Sequence, residues 1–138
     1  MKIVLDTNIF IGACMGQGDS NRLLMQCLQG KYQALMGNAL MAEYEAVLQR
    51  EHLFGRSRLN SEERDELLDI FLAHCEWTQV YYGWRPNLKD EGDNHLIELA
   101  IAGNARYLIT YNIKDFNQAE LKFPEIAICT PKELLEKH

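Results

Sequence analysis

A chain of 138 residues is long enough to bury an ordinary hydrophobic core without a disulfide or a structural metal. Its hydrophobic fraction of 47% and charged fraction of 25% are typical of globular proteins. The net charge of −6 argues against a broad basic surface, but not against an enzyme that contacts phosphate through bound cations. We expect one domain over residues 1–138, no membrane span or signal peptide, and a cytoplasmic location.

The cysteines are too widely spaced to form a metal or redox motif. No two of them make a CxxC pair, and we therefore expect free, buried thiols at Cys14, Cys27, Cys75 and Cys129.

The first eleven residues contain an apolar run that stops abruptly at polar residues. The run Ile3-Val4-Leu5 precedes Asp6-Thr7-Asn8, and such a run is typical of a central strand buried on both faces. Asp6 would then lie at the carboxyl end of this strand, which is the edge where open α/β sheets bind ligands. Its carboxylate either caps the following helix or belongs to a site.

The rest of the chain alternates between helical and strand patterns. Helices are predicted over 8–15, 20–29, 39–50, 61–73 and 93–102, with one turn inside 111–120 and a last helix from 131. Strands are predicted over 32–36, 77–82, 106–110 and 126–129. This alternation favours an α/β fold with a central parallel sheet of about five strands and right-handed crossovers.

Three of the predicted helices begin with capping signals. Asn38 is expected to cap the helix of residues 39–50. The pairs Asn60 with Glu63 and Thr130 with Glu133 have the spacing of capping boxes.

Acidic residues follow four of the predicted strands. They are Asp6, Glu43, Asp90 with Asp93, and Asp115. In a doubly wound sheet with the first strand central, these positions meet at the carboxyl edge. Clustered carboxylates repel one another, and Mg²⁺ or Mn²⁺ relieves that repulsion because hard cations prefer oxygen ligands. Such ions activate water and stabilise phosphate oxygens, so the pattern indicates phosphodiester hydrolysis.

The order and spacing of these motifs resemble a PIN-domain protein. The motifs are Leu5-Asp6-Thr7-Asn8, Glu43, Asp93 seven residues before Ala100, and Thr110-x-Asn112-x-x-Asp115-Phe116. A narrower set is similar to the VapC-like toxins of bacterial toxin–antitoxin systems: Asp90-x-x-Asp93-Asn94, Leu99-Ala100 and Thr130-Pro131-Lys132-Glu133-Leu134.

The resemblance implies a three-layer α/β/α sandwich and a Mg²⁺- or Mn²⁺-dependent ribonuclease. It assigns the catalytic, metal-binding acids to Asp6, Glu43, Asp93 and Asp115, with Asp90 as a further candidate ligand. It assigns supporting roles to Thr7, Asn8, Thr110 and Asn112. It also implies an RNA substrate, a small antitoxin partner and a homodimer. The alternatives are a solitary RNA-processing PIN nuclease and a non-catalytic PIN-like binding module.

Two further features have competing interpretations. The arginines Arg50, Arg56 and Arg58 form either a solvated loop or a surface that contacts RNA phosphates or an acidic partner. His95 is two residues from Asp93, a spacing that places the two on different faces of a helix. We therefore expect His95 to be a packing or surface residue.

Overall fold

The computed structural model describes residues 1–16, 18–80, 94–117 and 125–137, and of residues 94, 115 and 117 it describes the backbone. The strands are β1 (Lys2–Leu5), β2 (Gln33–Met36), β3 (Glu76–Trp77), β4 (Tyr107–Ile109) and β5 (Ala127–Cys129). The helices are α1 (Thr7–Cys14), α2 (Gly18–Leu28), α3 (Asn38–Leu48), α4 (Ser61–Ala73), α5 (Asn94–Ala102), α6 (Ile113–Asn117) and α7 (Pro131–Lys137). A 3-10 turn covers Glu51–Phe54.

The strands form one parallel sheet in which β1 is central. The strand order is β3-β2-β1-β4-β5, and every paired strand is parallel to its neighbour. Ile3 lies between Ala34 of β2 and Tyr107 of β4. The predicted central parallel sheet is therefore confirmed.

Helices cover both faces of the sheet. Ile3, Val4 and Leu5 are at most 1% exposed, although successive side chains of a strand point to opposite faces. One layer includes α1, α2 and α7, in which α2 contacts both α1 and α7. Helix α5 packs on β1, β2 and β4. The result is the expected α/β/α sandwich. No helix among the described residues is long and apolar enough to cross a bilayer.

The two predicted capping boxes are confirmed. The Asn60 side chain accepts from the Glu63 amide at 2.8 Å, and the Glu63 carboxylate accepts from the Asn60 amide at 2.9 Å. The same reciprocal bonds join Thr130 and Glu133, at 3.0 and 3.2 Å. The cysteines are free, as predicted; Cys75 is partly buried and the other three are buried.

Two predicted boundaries are wrong. Asn38 is the first residue of α3 and not its cap, because the capping position is held by Gly37, which has no side chain to contribute. The third strand was predicted over 77–82, but it ends at Trp77; residues 78–80 are not part of a strand, and residues 81–82 lie outside the described residues. Among the described residues β3 is an edge strand that pairs with β2 alone, and their pairing stops where β2 ends, at Met36.

Candidate active site at the carboxyl end of the central strand

Asp6 lies directly after β1, at the capping position of α1, yet its side chain makes no cap hydrogen bond. Instead its Oδ2 accepts from the Thr110 hydroxyl at 2.9 Å, and its Oδ1 accepts from the Thr7 hydroxyl at 3.4 Å. Asp6 is only 4% exposed. Of the two roles that the sequence allowed, helix cap or site residue, the geometry argues against the first.

Thr110 is placed by the pairing of β1 with β4. The Asp6 amide donates to the carbonyl of Ile109, the last residue of β4, at 3.0 Å, so the ladder continues one residue past the end of β1. The Asn112 amide donates to the Thr110 hydroxyl oxygen at 3.0 Å. That hydroxyl has one hydrogen to donate, and the Asn112 contact occupies a lone pair. The hydrogen is therefore left for Asp6.

Glu43 approaches Asp6 because α3 is tied to the end of β1. The Tyr44 hydroxyl donates to the carbonyl of Leu5 at 3.0 Å, and its ring packs with Phe10 and Phe71 at centroid distances of 5.7 and 6.1 Å. The preceding residue, Glu43, is thereby turned toward the carboxyl edge of the sheet.

Thr7 lies between the two carboxylates. Its hydroxyl is 3.4 Å from Oδ1 of Asp6 and 3.3 Å from Oε1 of Glu43. One hydroxyl hydrogen serves one acceptor well at a time, and both distances are long for an O–H···O bond. The two carboxylates are thus neighbours that share a single neutral donor.

The surroundings of Asp6 oppose its negative charge. Burial is the main cause that raises the pKa of Asp6 above its ordinary value, and the nearby Glu43 carboxylate raises it further. The Thr110 hydroxyl acts in the opposite direction, because it stabilises the charged form. A cation bound between these carboxylates would relieve both the burial of charge and the repulsion.

His95, expected from the sequence to be a packing or surface residue, contacts the Glu43 carboxylate. Its Nε2 lies 2.5 Å from Oε2 of Glu43, and its side chain is 18% exposed. Its Nδ1 is buried with no hydrogen-bond partner among the described residues. The two residues are 52 positions apart, so no local spacing in the sequence could have paired them.

Several predicted site residues are not joined to this pair by described contacts. Asp90 and Asp93 lie outside the described residues. The backbone of Asp115 lies in α6, but its side chain is not described. Asn8 and Asn112 are exposed beside the site. Within the described ranges, no three His, Cys, Asp or Glu side chains form a group that could hold a metal.

The basic residues flank the 3-10 turn of Glu51–Phe54, which contacts α1. Arg50, Arg56 and Arg58 are exposed, and none has an ion pair to a described residue. The Arg58 amide donates at 3.3 Å to the carbonyl of Cys14, the last residue of α1. That helix has eight residues, so its ends are about 12 Å apart.

The family model described as PIN domain matches residues 2–114. The chain belongs to the PIN domain family. A comparison with curated proteins gave no match.

The fold of this PIN domain is also found in a solved structure. That structure is the crystal structure of VapBC2 from Rickettsia felis bound to a DNA fragment from their promoter. The match covers 93% of this chain and 97% of the other chain, at 23% sequence identity and a TM-score of 0.59. At that identity the likeness shows a shared fold, which agrees with the sandwich implied by the sequence motifs.

Proposed function

We propose that this PIN domain is a Mg²⁺- or Mn²⁺-dependent ribonuclease that acts as the toxin of a toxin–antitoxin pair. The observation that carries this proposal is the pair of carboxylates, Asp6 and Glu43, that share the Thr7 hydroxyl at the carboxyl end of β1. Membership in the PIN domain family and the shared fold with a chain of VapBC2 support it.

The side chains around β1 fit a hard divalent cation. Asp6 and Glu43 offer carboxylate oxygens, the ligands that Mg²⁺ and Mn²⁺ prefer. We propose that Asp93 and Asp115 complete this acidic set, with Asp90 as a further candidate. When bound, the cation supplies Lewis acidity and offsets the charge of the phosphodiester.

The remaining contacts hold the two carboxylates in place. Thr110 fixes Oδ2 of Asp6, and the buried position of Asp6 leaves it few other orientations. His95 fixes Oε2 of Glu43 from the opposite side to Thr7, which contacts Oε1. Carboxylates oriented in this way pre-organise a cation site, since such supporting hydrogen bonds tune the first ligands of a metal.

The exposed polar residues are proposed to contact the RNA. Asn8 in the first turn of α1 and Asn112 before α6 border the carboxylate pair. The exposed arginines would hold phosphates further along the RNA, at the far end of α1; they are Arg50, Arg56 and Arg58. Phosphate contacts of this kind position a nucleic acid without selecting its sequence.

The proposed partner is a small antitoxin. The support is the shared fold with a chain of VapBC2, which was solved bound to a DNA fragment from their promoter. Homodimerisation stays a prediction from the family resemblance.

The decisive experiment compares Asp6→Asn with Asp69→Asn, a matched control on the exposed surface of α4. With Mn²⁺, we expect the wild type and Asp69→Asn to cleave single-stranded RNA. Asp6→Asn should lose at least about a hundredfold in rate, because a carboxylate that holds the cation is worth several kcal/mol. Calorimetry should show Mn²⁺ binding to the wild type and little to Asp6→Asn.

Two results would contradict the proposal. Equal cleavage by Asp6→Asn would exclude this site. A wild type that binds no Mn²⁺ at neutral pH would favour a non-catalytic binding module.

The toxin role is tested in cells: induced wild type should arrest bacterial growth, and Asp6→Asn should not. A wild type that cleaves RNA but leaves growth unaffected would indicate a solitary RNA-processing nuclease.

A further inference from the structure

A cavity of about 230 Å³ lies beside the carboxylate pair. It opens at the carboxyl ends of β2 and β3, between the start of α3 and the first two turns of α5. Among the residues that line it are Gly37, Asn38, Leu40, Val80, His95 and Leu99. We propose that this cavity binds one nucleobase of the RNA, next to the phosphate that is cleaved. This inference rests on the ribonuclease function proposed above.

The cavity and the carboxylate pair share one side chain. His95 lines the cavity, and its Nε2 contacts the Glu43 carboxylate at 2.5 Å. If the phosphate of a nucleotide lies at Asp6 and Glu43, the His95 side chain separates it from the cavity. A base of that nucleotide or of its neighbour is close enough to enter it.

The lining matches the two kinds of surface that a base presents. Leu40 and Leu99, each 1% exposed, provide apolar walls for the flat faces of a heterocycle. Asn38 and Gln79 are exposed and line the cavity with amide groups that can bond to polar edges. Recognition of unpaired bases in RNA combines these two kinds of contact.

A phosphate is a poorer occupant of the same cavity. None of the described lining residues is Lys or Arg. The Glu43 carboxylate lies just beyond His95. An anionic ligand in the cavity would lie near the Glu43 carboxylate and be repelled by it, whereas a neutral base avoids that repulsion.

Gly37 offers a way to narrow the cavity without changing either carboxylate. A Cβ at this position would lie 3.3 Å from Cδ1 of Leu99 and 3.3 Å from the carbonyl of Thr78, both on the cavity wall. The backbone φ of −142° is open to any residue, so alanine needs only a small shift of these two neighbours. Val80 borders the same space, since its Cγ2 lies 4.0 Å from that Cβ position.

The test is a double-mutant cycle that combines a substitution in the cavity with removal of one base from the RNA. It uses the non-cleaving Asp6→Asn chain. Fluorescence anisotropy measures its affinity for short single-stranded RNAs that carry one abasic ribose at successive positions. At one position we expect the abasic RNA to bind about tenfold more weakly, the usual loss of a stacked base. In the Gly37→Ala background, removal of that base should have little further effect. Gly18→Ala, which meets no atom within 4 Å, should retain the full tenfold loss.

The outcomes separate this inference from the proposed function. If Gly37→Ala lowers affinity equally for intact and abasic RNA at every position, the cavity does not bind a base. Such a result leaves Mn²⁺ binding and RNA cleavage by the wild type untouched, whereas their loss would overturn the function itself. Thermal unfolding checks that Gly37→Ala is folded. Val80→Phe, which fills the cavity from the other wall, repeats the cycle and must give the same result.

Discussion

The two ends of α1 carry opposite kinds of polar residue. At the amino-terminal end, Asp6 is buried and Glu43 is partly buried. Hydroxyl groups and His95 hold the two carboxylates in place. At the far end, the arginines of residues 50–58 are exposed and have no ion pair to a described residue. Fixed carboxylates suit the defined geometry of a cation, and exposed cations suit phosphates of any RNA sequence.

Arg64 shows that residue type alone does not make a binding surface. Its guanidinium donates twice to the Glu51 carboxylate, at 2.8 and 2.9 Å, and once to the Leu59 carbonyl at 3.1 Å. It also lies 4.2 Å from the ring centre of Phe54. With these three hydrogen bonds and its buried side chain, Arg64 stabilises the segment that displays the exposed arginines.

The largest effect in this comparison is expected for Arg64→Ala. The change removes three hydrogen bonds and the packing of a buried stem, and should lower the free energy of unfolding by about 2 kcal/mol. Arg56→Ala, on an exposed side chain, should change it by less than about 0.5 kcal/mol. Urea unfolding measures both. Equal losses in the two variants would mean that Arg64 has no special structural role.

At the acidic end, His95→Ala should weaken Mn²⁺ binding by about tenfold, because the Glu43 carboxylate loses its orienting partner. His95→Gln should recover part of the affinity, since its amide can donate to the same oxygen. His52→Ala is the matched control at the basic end, where His52 is exposed. Calorimetry measures the Mn²⁺ affinity of the three variants. Wild-type affinity in His95→Ala would refute a positioning role for His95.

At the basic end, the double variant Arg50→Ala with Arg56→Ala should bind RNA several-fold more weakly. The slope of log affinity against log salt should become shallower by about 1.4, because each arginine would neutralise one phosphate of the single strand. Mn²⁺ binding should stay as in the wild type, because these residues lie away from the carboxylates. An unchanged salt slope would indicate that the arginines form only a solvated loop.

The smallest effect concerns the stability of the metal-free protein. Because burial and then Glu43 raise the pKa of Asp6, the folded state retains its proton to a higher pH than the unfolded state. Stability therefore falls as pH rises from the ordinary value of 3.8 through the raised pKa. Asp6→Asn cannot titrate and should lack this fall. The effect is small because the Thr110 hydroxyl partly offsets the burial.

Thermal unfolding in EDTA at about pH 4 and pH 7 tests this sign. The stability of Asp6→Asn relative to the wild type should increase between the two pH values. A relative decrease would show that the hydroxyl contacts outweigh burial and that the pKa of Asp6 is lowered instead.

Much of the fold followed from local patterns. The run Ile3-Val4-Leu5 predicted a strand covered on both faces, and the sheet places it at the centre. Both capping boxes were found where their spacing predicted them. The edge strand β3 was predicted too long, because its apolar pattern continues beyond the end of its only partner.

The sequence by itself determined the alternation of elements, the central strand and the position of Asp6 at its carboxyl end, because burial and capping leave local patterns. Only the tertiary structure decided that Asp6 bonds to Thr110 instead of capping α1, and that His95 meets Glu43 across 52 residues. Those contacts depend on how β4 pairs with β1 and how α3 packs near α5. No spacing along the chain encodes such distances, because they are set by the shape of the shared core.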